Sequence, residues 1–382
     1  MSNDRKLALF TFVDALGYRV LKHHSFLDDV LRTKRPLGTI FGYSSTCDPT
    51  IVTGRLPRDH DHFSFFAYNP AESPFALCRF LALLPDTLTR RGRVRRLLSR
   101  SIRRWYGYTG YFQIYNMPFR LLPLFEYTEK RDLYQPGGIN AGLPTVFDEL
   151  RERQIPFSLS DWRLSEERNL AALKADLRQG DTRFAYLYLA HLDAVLHEHG
   201  ALSQEGGQKI AWYDRQLREV LDLAHRHYDT VNLYLFSDHG MTDCHTDCAL
   251  IPRIEALGLR FGQDYAAVYD STMARFWFLT ERAEPAIRTA LAQEPLGDIL
   301  DQETLRDWGC DFPTNRYGDL FFLMQPGVLL CPSFMGRTHL AGMHGYDPLH
   351  EDSVASWSSN LVLADSPARL ENIRAVMAGE LA

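Results

Sequence analysis

The sequence predicts an α/β protein with an inserted cap, and three observations carry that prediction. Short apolar runs of strand length alternate with segments of helical periodicity. Three of the runs end in polar residues: residues 7–13 at Asp14, residues 182–190 just before Asp193, and residues 230–236 at Ser237-Asp238-His239-Gly240. Between residues 62 and 143 the alternation breaks down, and the chain becomes aromatic and Arg-rich. Continuously apolar strands suit the centre of a parallel sheet covered on both faces, and ligands of such sheets gather at the carboxyl ends of the strands.

Taken in order, residues 7–13 form a buried strand that delivers Asp14. Residues 15–31 carry helical spacing at Leu16, Val20, Leu21, Leu27 and Val30, and residues 38–41 read as the next strand. Residues 42–54 then join a polar, Gly-led turn to a short apolar segment. A hydroxyl there would sit at a helix N-terminus, where unpaired N–H groups and the dipole favour an anion; taken alone, Ser44-Ser45-Thr46 reads first as a plain N-cap. In the insertion, residues 90–105 are a basic amphipathic stretch whose arginines are expected to pair with nearby acids. A membrane-surface role suits such a helix too, but the acidic remainder of the chain weighs against it. After Pro144 the alternation resumes, with helices over 145–154, 166–178, 208–225 and 284–292 and strands over 182–190, 230–236, 273–279 and 319–324. The expected division is a catalytic core of residues 1–61 and 144–382 with a cap of residues 62–143.

With 382 residues, 45% hydrophobic and 24% charged, the chain is globular rather than disordered or fibrous. A net charge of -6 argues against a general polyanion-binding surface, so no nucleic-acid partner is expected. Six sparse cysteines suit a reducing compartment. The first apolar run is too short to span a bilayer, lacks a small-residue cleavage site and runs straight into Asp14. A cytoplasmic protein without a membrane anchor is the expectation.

The polar residues at strand ends are Asp14, Ser44, Asp193 with His197, Asp238 with His239, and His344 in Gly342-Met343-His344-Gly345-Tyr346. Mixed carboxylate and imidazole suits zinc or manganese better than calcium. Asp193 and His197, four apart, share one face of a helical turn, and Gly240 permits the turn that would aim Asp238 and His239 together. No single pair is decisive, because each also reads as a cap, an ion pair or a satisfied histidine.

Together and in this order, these residues resemble the alkaline phosphatase superfamily, and more closely its nucleotide pyrophosphatase/phosphodiesterase-like branch. The resemblance runs from Asp14 to about Pro348, apart from the insertion, and rests on five elements. They are an Asp after the first strand, Ser44 ahead of Thr53-Gly54-Arg55, the Asp193 to His197 pair, the Asp238-His239-Gly240 motif and the late His344. It implies an alkaline-phosphatase-like three-layer core with a largely parallel central sheet. It also implies two metal sites, one using Asp14, Ser44, Asp238 and His239, the other Asp193, His197 and His344. Two such ions about 4 Å apart form the clamp for in-line displacement at phosphorus.

The family interval counted back from Thr53 selects Ser44 as nucleophile, leaving Ser45 and Thr46 as capping residues and Asp48 as a first-turn acid. Cys47-Asp48-Pro49-Thr50-Ile51 mimics the sulfatase signature, but Ile51 stands where that signature has Arg and Cys47 lies too close to Thr53. The same interval logic selects His197 over His199. For the phosphoryl-binding Asn of the branch, Asn69 is the nearest candidate. Arg275 either approaches a phosphate or pairs with Asp270. His60 and His62, just after Thr53-Gly54-Arg55, read first as loop residues and otherwise as part of the cleft lining, and Cys244, His245 and Cys248 read as structural. The implied function is a two-metal phosphoric ester hydrolase of phosphodiesterase/nucleotide pyrophosphatase type, using zinc or manganese and a phospho-Ser44 intermediate on a small-molecule phosphoester. The alternatives are a phosphomonoesterase or phosphotransferase at the same site, and a non-catalytic binding protein of the same fold.

Overall fold

The strand that delivers Asp14, β1 (Lys6–Val13), lies inside a six-stranded sheet. With β2 (Thr33–Leu37), β3 (Phe157–Leu159), β4 (Phe184–Leu189), β5 (Thr230–Phe236) and β10 (Ala355–Ser359), the order is β2-β10-β5-β1-β4-β3. β1 pairs in parallel with β4 and β5, placing Thr11 between Leu187 and Leu235, and β3 pairs in parallel with β4. β10 runs antiparallel to both β5 and β2. The computed structural model describes residues 5–81, 92–363 and 365–381.

Alternation along β1 builds the two outer layers. Leu7, Leu9 and Val13 pack into one buried cluster with helices α5 (Glu166–Gln179), α6 (His191–His199) and α7 (Gln204–His227). Ala8, Phe10 and Phe12 pack into the other, with α2 (Ser44–Thr53), α4 (Val146–Glu152) and α8 (Ile373–Glu380). A strand buried on both faces is apolar at nearly every position, Thr11 being the exception in the interior of β1, which is why its sequence shows no polar alternation.

A second sheet of four antiparallel strands, β6 (Tyr265–Tyr269), β7 (Met273–Phe278), β8 (Gly297–Ile299) and β9 (Leu320–Met324), has the order β6-β7-β9-β8. Its core is shared with the aromatic insertion: Phe66, Phe75, Ile102, Phe112 and Tyr127 lie in one buried cluster with Tyr265, Tyr269 and Phe276. Within the insertion, α3 (Gly92–Tyr106) buries Arg95, Ser99 and Ile102. Residues 90 and 91 of the expected basic stretch lie outside the described residues.

Two expected elements differ. The helix expected over 15–31 is only α1 (Tyr18–His23). The chain then turns at Leu27, which has φ 48° and whose N–H bonds to Asp214 Oδ1 at 2.7 Å. The strand expected over 38–41 lies instead over Thr33–Leu37; Gly38 makes only an isolated bridge to Arg369.

Candidate active site

The parallel strands bring three polar chain segments to one edge of the sheet. β1 presents Asp14, β4 leads into α6 with Asp193 and His197 one turn apart, and β5 presents Asp238 and His239. α2 approaches with its N-terminus. The turn into it depends on Gly42, φ 125°, where a Cβ would come within 2.3 Å of Thr46 Oγ1. Ser44 opens the helix and no side chain caps it; the Thr46 N–H is taken by the Tyr43 carbonyl at 2.7 Å, which leaves the Ser44 and Ser45 N–H groups for an anion. Gly240 is needed for contact rather than for its φ, since a Cβ there would lie 2.0 Å from the Asp352 carbonyl oxygen.

Asp14, Asp238 and His239 place ligand atoms within 4.8 Å of one another, and so do Asp193, His197 and His344. Ser44 Oγ is 3.2 Å from His239 Nε2. His239 and His344 stack with ring centroids 3.6 Å apart, which joins the two groups. Asp193 Oδ1 lies 3.2 Å from His197 Nε2 and 3.5 Å from His344 Nε2, and Asp238 Oδ2 lies 3.0 Å from His239 Nε2. All seven residues expected as ligands therefore converge.

The cluster is electrostatically tense. Burial, then Asp238 and Asp193, push Asp14 well above the ordinary carboxylate range, against a 2.6 Å bond donated by Tyr188 Oη. Burial also acts to raise Asp193, but the adjacent His197 outweighs it and holds the carboxyl below its usual range. For His239 burial disfavours the charged ring, yet Asp238, with Asp193 and the Gly240 carbonyl, more than reverses this and lifts it to about 9. Burial and the neighbouring His239 push His344 well down. Asp14 Oδ1, Asp193 Oδ1 and Asp238 Oδ2 are each buried without a hydrogen-bond partner. Leaving such groups unsatisfied costs about 1–3 kcal/mol each. Carboxylate oxygens facing imidazole Nε2 atoms are a donor set for zinc or manganese, so the residues present fit a pair of divalent cations.

Asp14, Ser44, Asp193, His197 and His344 line a cavity of about 600 Å³. Phe65, Tyr111, Tyr115, Tyr134 and Trp162 also line it, and Arg131 is the single Arg or Lys on its lining among the described residues. Sequence reasoning missed Glu129 and Tyr188 here, and it read Asp48 only as a first-turn acid. Asp48 is buried on the cavity wall one turn after Ser44, a spacing that could have signalled a shared face. Burial pushes both Asp48 and Glu129 well up. His62 also faces the cavity, its Nε2 accepting from Asn140 N at 2.9 Å, while His60 is buried against Thr50 Oγ1 at 2.9 Å.

Other expectations need correction. Ser45 and Thr46 do not cap α2; both hydroxyls donate to the Phe63 carbonyl, at 3.4 and 2.8 Å. Asn69 is not on the cavity; its N–H is spent on the Leu124 carbonyl at 3.0 Å. Arg275 is fully buried, bonding Asp270, Ser64 Oγ and the carbonyls of Phe66 and Tyr317. It supports Asp270 and Ser64, which line the cavity, and does not reach it. Cys47 is buried, and burial pushes its thiol well up, as expected of an inert residue.

Among curated proteins, no sequence matches this chain. In fold it is similar to murine ectonucleotide pyrophosphatase/phosphodiesterase 5, with TM-score 0.70 and 14% identity over 98% of this chain and 95% of that one. An inactive variant of the murine protein in complex with AMP gives TM-score 0.70 and 14% identity over 99% and 95%. The human counterpart gives TM-score 0.69 and 14% identity over 98% and 94%. The family model of type I phosphodiesterase/nucleotide pyrophosphatase matches residues 42–347, well over half of the chain. The chain thus belongs to the type I phosphodiesterase/nucleotide pyrophosphatase family, within the alkaline phosphatase superfamily, and is a phosphoric ester hydrolase of phosphodiesterase type.

Proposed function

We propose that this chain is a two-metal phosphodiesterase in which Ser44 carries the phosphoryl group, with zinc as the resident metal and manganese as its substitute. The observation that carries the reading is the meeting of two three-residue ligand groups at the uncapped helix end that holds Ser44. Asp14, Asp238 and His239 would hold one cation beside Ser44, and Asp193, His197 and His344 the other. Bound there, the cations would ease deprotonation of Ser44 and of water and offset charge on the leaving oxygen.

The chain's own part follows from its geometry. The N-terminal N–H groups of α2 face a non-bridging phosphoryl oxygen, and the cavity walls limit the water around the reacting centre. Ser44 Oγ forms a bond to phosphorus as the bond to the alcohol oxygen breaks, and the alcohol leaves with a proton. Water then attacks phospho-Ser44, restoring the hydroxyl and releasing the remaining phosphate ester.

A diester is preferred over a monoester because a monoester dianion calls for more positive contacts than Arg131 alone supplies. The relative bound to AMP suggests a nucleotide as one occupant of the cavity, and the aromatic wall would offer faces for a base. The test is Ser44→Ala, assayed on bis(p-nitrophenyl) phosphate and p-nitrophenyl phosphate at saturating zinc and manganese. The expected result is loss of turnover on both esters with unchanged melting, and a wild type that favours the diester. Undiminished activity of the variant would overturn the role of Ser44, and a wild type faster on the monoester would overturn the diester preference.

A further inference from the structure

The basic helix of the insertion is not used by the chemistry above. α3 contains no acidic residue, and Arg93, Arg96, Arg100, Arg103 and Arg104 make no ion pair among the described residues. The pairing with nearby acids expected from the sequence is therefore absent for these five. At 3.6 residues per turn, α3 divides into three stripes. Arg95, Ser99 and Ile102 face the protein. The five exposed arginines form the second stripe, and Val94, Leu97 and Trp105 lie beside them as the third. Leu97 is 67% exposed and Trp105 84%. Leu77 and Phe80, which flank the buried Cys78, add exposures of 75% and 56%.

We propose that α3 lies against an anionic lipid surface, its arginines on headgroup phosphates and Leu97 and Trp105 in the interfacial layer. Two features select this partner. A row of arginines beside an unpaired apolar stripe is the pattern of a helix lying in the plane of a bilayer interface. Its charge is opposite in sign to the lipid headgroups, with six arginines and no acid in fifteen residues. A second copy of the chain docked face to face would set arginine against arginine. A nucleic acid would use the arginines but leave the aliphatic Val94 and Leu97 in water.

The helix is also fastened to the cavity wall. Arg95 Nη1 donates to the carbonyls of Tyr115 and Met117 at 2.8 Å each, and Ser99 Oγ accepts from Ile114 N at 3.2 Å. Tyr111 and Tyr115, in that segment, line the cavity. No helix among the described residues is long and apolar enough to cross a membrane, so the contact is peripheral.

The experiment is vesicle co-sedimentation of the full chain. Pure phosphatidylcholine is compared with vesicles containing about 30 mol% phosphatidylglycerol, at low and high salt. The expected result is binding at least about tenfold tighter to the anionic vesicles and weakened by salt. Leu97→Ser with Trp105→Ser should lose at least about tenfold of it at unchanged charge. Arg96→Gln with Arg100→Gln and Arg103→Gln should abolish the preference for anionic lipid. Turnover of a soluble ester by both variants should equal wild type. No vesicle binding, equal affinity for neutral and anionic vesicles, or binding untouched by the Leu97/Trp105 pair would overturn the proposal. So would retention on a single-stranded oligonucleotide without vesicle binding, or a dimer that the same pair dissolves.

Discussion

Two histidines of the site are oriented by the same device. His197 Nδ1 lies 2.8 Å from the Gly342 carbonyl and His239 Nδ1 2.9 Å from that of Gly240. A carbonyl oxygen only accepts, so in each ring Nδ1 carries a hydrogen and Nε2 is the atom turned toward the carboxylates. Asp14 is held similarly by Tyr188 Oη. Tyr188→Phe should therefore weaken metal affinity by about 10–100-fold without unfolding the chain, which a competition titration against a chelator would measure; unchanged affinity would deny Tyr188 that role. Gly42→Ala should cost about 1–3 kcal/mol, because a non-glycine residue would be strained at its φ as well as crowded by Thr46; chemical denaturation reads this directly. The seven residues that converge were legible in the sequence as a set, through the family order that they match, since no single pair of them was decisive. Arg275 was not resolved: its neighbourhood to Asp270 is visible in the chain, but Ser64 is 211 positions away. Glu129 was missed for the same reason, since nothing local says that its surroundings are a cavity wall.

At the scale of elements, α8 is latched to the central sheet through Glu380. Its Oε1 accepts from Asn232 Nδ2 at 2.8 Å and Tyr234 Oη at 2.5 Å, and its Oε2 lies 2.9 Å from Lys6 Nζ. Burial acts to raise the Glu380 carboxyl, but Lys6, Tyr234 and Asn232 together hold it below its usual value of 4.5. A carboxylate depressed in the folded state stabilises above its unfolded pKa and loses that contribution as pH falls through the folded value. Glu380→Gln should thus cost about 1–2 kcal/mol at neutral pH, and the gap to wild type should close at pH below 4.5; a gap of constant size across that range would refute the account. The interior strands were readable for a physical reason, burial on both faces. β2 was not: Thr33-Lys34-Arg35-Pro36-Leu37 is an edge strand paired on one side only, so it carries charge and a proline where an interior strand cannot.

For the whole molecule, metal and fold are coupled. Three buried aspartates each leave an oxygen unsatisfied, so bound cations should stabilise the folded chain by about 2.7 kcal/mol per site at a hundredfold excess over Kd. Chelation should lower Tm, zinc or manganese should restore it, and elemental analysis of the restored protein should give two ions per chain. A Tm indifferent to chelator would place the cations elsewhere. This coupling has a consequence for biosynthesis. The ligands run from Asp14 to His344, and β10, which joins β2 to the rest of the sheet, is made later still. The group beside Ser44 has its own residues by His239, but His239 stacks on His344 and Gly240 packs against the Asp352 carbonyl, so both proposed cation sites would wait until nearly the whole polypeptide has left the ribosome. Loading of either ion would then be a late step of folding, and a chain truncated after β9 would lack both His344 and a strand of the central sheet.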